Sequence, residues 1–151
     1  MTLRARLLFC VLICCMPGDF AQAQGWKAGE YDASVSNRAN TSTLYVECIS
    51  DGRIFMRVQF RAYTNIWFNE GAILRIGKQE FPVEIGMGSE HMYLHNMPKL
   101  GVSRELIDAL KGGGTLVLQG KAVQRLSEAQ RTYPLEGAAK FIEEVQRDCG
   151  R

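Results

Sequence analysis

The chain has 151 residues, 18 Lys+Arg against 16 Asp+Glu, with 46% hydrophobic and 23% charged residues. That is the length of one domain and too apolar a composition for a disordered chain. A net charge of +2 gives no electrostatic basis for a dedicated nucleic-acid binder, so no nucleic-acid partner is expected.

Residues 1–23 read as a Sec-type secretory signal peptide. Arg4 and Arg6 form the basic start, residues 7–16 (LLFCVLICCM) the apolar run, and Ala21-Gln22-Ala23 the cleavage site. Ten apolar residues are too few to span a bilayer, which takes about 20. The mature chain is then expected to be one domain over residues 24–151, with no transmembrane segment, in the periplasm or secreted. Losing Arg4, Arg6 and Asp19 leaves 16 Lys+Arg against 15 Asp+Glu, a charge of +1.

Cys10, Cys14 and Cys15 leave with the leader, and only Cys48 and Cys149 remain. Two cysteines in an oxidising compartment predict a single disulfide. Two buried free thiols are the alternative.

The mature chain reads mostly as strands. Residues 25–35 form a first strand anchored by Trp26 and Tyr31, and residues 36–41 (SNRANT) form a turn. Residues 43–49 and 53–61 make a hairpin. Its second arm alternates, with Ile54, Met56, Val58 and Phe60 on one face and Arg53, Phe55, Arg57, Gln59 and Arg61 on the other. A two-residue Asp51-Gly52 turn mixes the faces. A three-residue loop, with Gly52 at positive φ, sets Cys48 opposite Ile54, Val46 opposite Met56 and Leu44 opposite Val58, and face consistency selects it.

Strands follow at residues 72–76, 80–85 and 92–95. Ser103 caps a helix with an apolar stripe of Leu106, Ile107 and Leu110, and Gly112-Gly113-Gly114 stops it. Residues 115–119 form a strand that residues 123–126 extend or pair with. Residues 133–135 lead to a last helix over 138–148, where Phe141, Ile142, Val145 and Cys149 share a face. Both cysteines are thus predicted to point inward. The expected fold is mainly β (α+β): an antiparallel β-sandwich or flattened barrel with two short helices packed on it and one disulfide.

Two segments carry a resemblance. One is Leu44-Tyr45-Val46-Glu47-Cys48, a cysteine-ended strand followed by a turn and an alternating strand. The other is Tyr133-Pro134-Leu135-Glu136-Gly137-Ala138-Ala139 with its helix ending at Cys149. Together with the short helix and the Leu-Val-Leu strand between them, they resemble the invasion-associated locus B family of small exported proteobacterial proteins. They are also similar, more distantly, to the VasI/TagO-type accessory proteins of type VI secretion. The resemblance implies a β-rich periplasmic or surface domain with an accessory or binding role and no catalytic residues.

Three clusters are candidate sites. Arg53, Arg57 and Arg61 stripe one strand face, suiting an anionic partner such as lipid headgroups, glycan or an acidic protein. A simply solvated face is the alternative, with Glu47 neutralising part of the charge across the ladder. Charge reversal at Arg57 is then expected to remove partner capture with little change in melting temperature. Trp67, in the aromatic stretch Tyr63-Thr-Asn-Ile-Trp67-Phe68, joins the partner-binding candidates if it is exposed. Most large aromatics are instead buried.

Met87, His91, Met92, His95 and Met97 offer soft sulfur and imidazole ligands of the kind copper takes. On a strand, His91 and His95 share a face but stand about 13 Å apart at ~3.3 Å per residue, too far for one ion. The usual packing role of methionine therefore prevails, and no cofactor is expected.

Enzyme motifs are missing from the sequence: no Gly-x-Ser-x-Gly, His-Glu-x-x-His or Walker pattern occurs. Ser89-Glu90-His91 is adjacency in sequence, not a triad. The expectation is a non-enzymatic exported module binding a protein or envelope component, with periplasmic copper binding as the alternative.

Overall fold

The computed structural model describes residues 25–49, 52–61, 71–87, 91–97 and 101–150. The segment 1–23, read above as a signal peptide, lies outside them, as do Trp67 and its aromatic neighbours.

Alternating apolar residues produce the described strands: β1 (Lys27–Ala28), β2 (Asp32–Ser36), β3 (Ser42–Cys48), β4 (Ile54–Phe60), β5 (Ala72–Ile76), β6 (Gln79–Met87), β7 (His91–His95), β8 (Thr115–Gln119) and β9 (Thr132–Pro134). They form one nine-stranded antiparallel sheet in the order β1-β2-β3-β4-β7-β6-β5-β8-β9. The predicted hairpin register holds: Cys48 faces Ile54, Val46 faces Met56 and Leu44 faces Val58. Ile49 N donates to Arg53 O at 2.9 Å, and Gly52 adopts φ 79°.

The sheet curls into a half-barrel until its two ends meet. Arg38 N donates to Thr132 O at 2.9 Å, and Trp26 Nε1 donates to Pro134 O at 3.2 Å. Inward residues from every layer, among them Leu44, Met56, Leu74, Leu94, Leu118 and Tyr133, are fully buried. Strand β6 serves both halves: Gln79 to Val83 pair with β5, and Glu84 to Met87 pair with β7.

Two helices pack on this curl and on each other, α1 (Arg104–Lys111) and α3 (Ala138–Cys149), with α3 seated against β2 and β3. Ser103 caps α1, its Oγ accepting from Leu106 N at 3.3 Å. Asn96 holds the cap from behind, its Oδ1 accepting from Ser103 N at 2.8 Å. Cys48 and Cys149, 101 residues apart, form the disulfide that ties β3 to the last turn of α3. Both are half-buried, and Cys48 packs against the core.

Three expectations give way. The first strand is a hairpin of β1 and β2, because Gly29 N bonds Asp32 O at 2.8 Å and turns the chain. A Cβ on Gly29 would lie 2.6 Å from the Asp32 carboxylate, so that side chain would have to swing aside. Tyr31 sits in that turn at 59% exposure and anchors nothing, whereas Trp26 is buried. Residues 123–126 extend no strand: Gly120, at φ 108°, turns the chain into a 3-10 helix at Lys121–Val123. A single-turn helix α2 (Glu128–Arg131) then follows. Its sequence signal was Ser127-Glu-Ala-Gln130, a capping box in which each side chain bonds the other residue's backbone N–H.

Candidate functional site

Strands β3, β4 and β7 lie side by side, so their core-facing residues leave a second set on the outer face. Tyr45 pairs across the ladder with Arg57, and Arg57 with Tyr93; Gln59 pairs with His91, and Glu47 with Phe55. All of these side chains, and His95 beyond them, are half-buried.

Arg57 is the centre. Its Nε donates to Glu47 Oε1 at 2.7 Å and its Nη2 bonds the same oxygen. Nη1 donates to Gln59 Oε1 at 3.3 Å and lies 3.2 Å from His91 Nδ1, which accepts. The guanidinium also stacks 3.9 Å from the centroid of the Tyr45 ring, a cation–π contact. Phe55 and Tyr93 pack at 5.8 Å between centroids, and His91 and Tyr93 at 6.3 Å, edge-on. His95 Nδ1 stands 4.0 Å from Glu84 Oε2 at the margin. The result is a pre-organised aromatic and polar surface whose central charges already satisfy each other. It carries hydrogen-bonding groups and ring faces, with no nucleophile–base pair among them.

The three arginines of the predicted stripe differ in their surroundings. Arg53 precedes β4, Arg57 is consumed by Glu47, and Arg61 lies exposed past the strand's end. Charge reversal at Arg57 would set two carboxylates together where both side chains are only 16% exposed. An unchanged melting temperature is thus no longer the expected control. Trp67 lies outside the described residues.

The methionine–histidine segment does not converge either. Met92 is buried in the core at 1% exposure, while His91 and His95 face outward on the opposite side of β7. Met97 is exposed at 46%, and the Met87 side chain lies outside the described residues. Among the described residues no group of three or more His, Cys, Asp and Glu side chains is placed to hold a metal.

Reading the sequence alone set Phe55 and Gln59 beside Arg57 but missed Tyr45 and Tyr93 as parts of the same surface. Alternation places each on the outer face of its own strand. The missing information was that β7 pairs with β4, a contact spanning more than thirty residues that no local pattern encodes.

No protein-family model and no curated protein matches the chain. Among solved structures, the fold is similar to the crystal structure of invasion associated protein B from Bartonella henselae. The two are 12% identical with a TM-score of 0.52, over 83% of this chain and 93% of that chain. At that identity the likeness is one of fold. It agrees with the architecture implied by the two cysteine-bearing segments.

Proposed function

We propose that the protein is a non-enzymatic exported module that binds a protein or envelope component, in the cell envelope or in contact with a host. The observation that carries this reading is the outer face of β3, β4 and β7. Three aromatic rings, Gln59 and two histidines surround an arginine whose charge is already matched, and aromatic residues of this kind dominate binding surfaces. The disulfide is consistent with an oxidising compartment. Among the described residues no helix is long and apolar enough to cross a membrane. The fold's likeness to an invasion associated protein lends support to a host- or envelope-related role.

The test is site-specific photocrosslinking in the native host, read by mass spectrometry. A photoreactive residue at Gln59 or Tyr93 should trap one recurring partner, and the same residue at exposed Lys140 on α3 should not. Equal trapping from all three positions, or none from the sheet face, overturns the assignment. Substrate turnover by the purified protein, lost on substitution at this face, would displace the non-enzymatic reading.

A further inference from the structure

Asn37 is completely buried, yet its side chain is fully employed. Oδ1 accepts from Thr41 N at 2.8 Å and Ser42 N at 3.3 Å, while Nδ2 donates to Thr41 Oγ1 at 3.0 Å and Gln130 O at 2.8 Å. This one side chain fastens the β2–β3 turn to the end of α2, just ahead of β9. Each segment it gathers brings an arginine. Arg38 follows Asn37 and Arg131 follows Gln130, while Arg61 N donates to Thr41 O at 2.9 Å.

Arg38 and Arg61 are exposed. None of the ion pairs among the described residues uses Arg38, Arg61 or Arg131. Arg131 Nε is buried without a hydrogen-bond partner, a donor whose desolvation is uncompensated. On the described segments that meet here, residues 36–42, 60–61 and 128–132, the one carboxylate is Glu128.

We infer that this end of the half-barrel is an anion-binding surface for the phosphates of an anionic lipid membrane, with Arg38, Arg61 and Arg131 as its contacts. Guanidinium groups engage phosphate oxygens in a two-pronged fashion. Three of them on three separate chain segments, two exposed to solvent, fit a plane of headgroups better than one small ion. The inference is independent of the sheet-face reading, because none of these arginines belongs to that face.

The test is sedimentation of the protein, purified from its native host, with vesicles of phosphatidylglycerol and phosphatidylcholine and with vesicles of phosphatidylcholine alone. Binding should require phosphatidylglycerol and weaken as salt screens the charges. Each arginine near an anionic surface contributes about fivefold in affinity. The Arg38→Gln/Arg61→Gln double variant, altering only exposed side chains, should then bind roughly twenty-five-fold more weakly, and adding Arg131→Gln should bring the loss to about a hundredfold. Arg75→Gln, an exposed arginine on β5, should bind as the parent does. Equal binding to both vesicle types, or a double variant that binds like the parent, overturns the inference. So does displacement by millimolar inorganic phosphate at constant ionic strength, which marks a small-anion site, or retention on polyglutamate without vesicle binding, which marks an acidic protein partner.

Discussion

Removing the disulfide is the sharpest test of how this fold is held. Cys48 and Cys149 close a loop of 101 residues, for which loop-closure entropy in the unfolded chain corresponds to about 4.7 kcal/mol. Little native packing depends on the sulfur atoms. α3 remains seated through Ala138, Ile142 and Val145, all buried, and the β3–β4 ladder keeps its own bonds. The Cys48→Ala/Cys149→Ala protein should therefore fold to the same structure but lose about 4–5 kcal/mol, or roughly 15–20 °C in melting temperature for a domain of this size. Because the crosslink acts on the unfolded chain, the denaturant m-value should rise as the midpoint falls. The assay is urea unfolding followed by circular dichroism and tryptophan fluorescence together. A loss below about 1 kcal/mol with an unchanged m-value would refute the reasoning. So would loss of the α3 helical signal before any unfolding, which would mean that the bond holds the helix in place.

Asn37→Ala should cost about 3–4 kcal/mol, because it strands the buried N–H groups of Thr41 and Ser42 and the Gln130 carbonyl; chemical denaturation measures it. A double-mutant cycle on Glu47→Gln and Arg57→Gln should give a coupling of about 1–2 kcal/mol, above the ~0.2–1 typical of exposed pairs. A coupling near zero would mean that the pair is solvated. Burial raises the Tyr133 hydroxyl well above the ordinary tyrosine value of 10.0, outweighing the opposing effect of its 2.7 Å hydrogen bond with Ser42 Oγ. The unfolded chain then releases that proton first, so Tyr133 supports the fold below pH 10.0 and its contribution declines as pH rises toward the folded value. Tyr133→Phe should cost about 1–2 kcal/mol at neutral pH and flatten the alkaline loss of stability, as pH-dependent urea midpoints would show.

Much of this architecture was legible in the sequence because it rests on local periodicity. The strict alternation from Ile54 to Phe60 admitted one register with its neighbour, the one that sets Cys48 opposite Ile54. Ser103 and the glycine run bounded α1 because caps and stops are chemical events at single residues. The inward face of α3 placed Cys149 opposite Cys48 before any contact was known. What escaped was non-local or competitive. Tyr31 has strand propensity, but the hydrogen bond from Gly29 N to Asp32 O closes a turn around it. The joining of β4 to β7 assembled Tyr45, Arg57 and Tyr93 into one surface, and no spacing rule links residues so far apart. Arg57 illustrates the cost of reading a stripe by itself. Its partner Glu47 was visible across the hairpin, yet only the geometry revealed that the two charges, the ring of Tyr45 and the imidazole of His91 are spent on one another.

Strand β6 changes partners in mid-course, clasping β5 up to Val83 and β7 from Glu84 onward. It is a suture between two leaves that would otherwise touch mainly where the curl closes. Neither leaf can peel away without taking half of this strand along, so the molecule should open as a whole, with amides on both sides of that handover exchanging with solvent at a common rate.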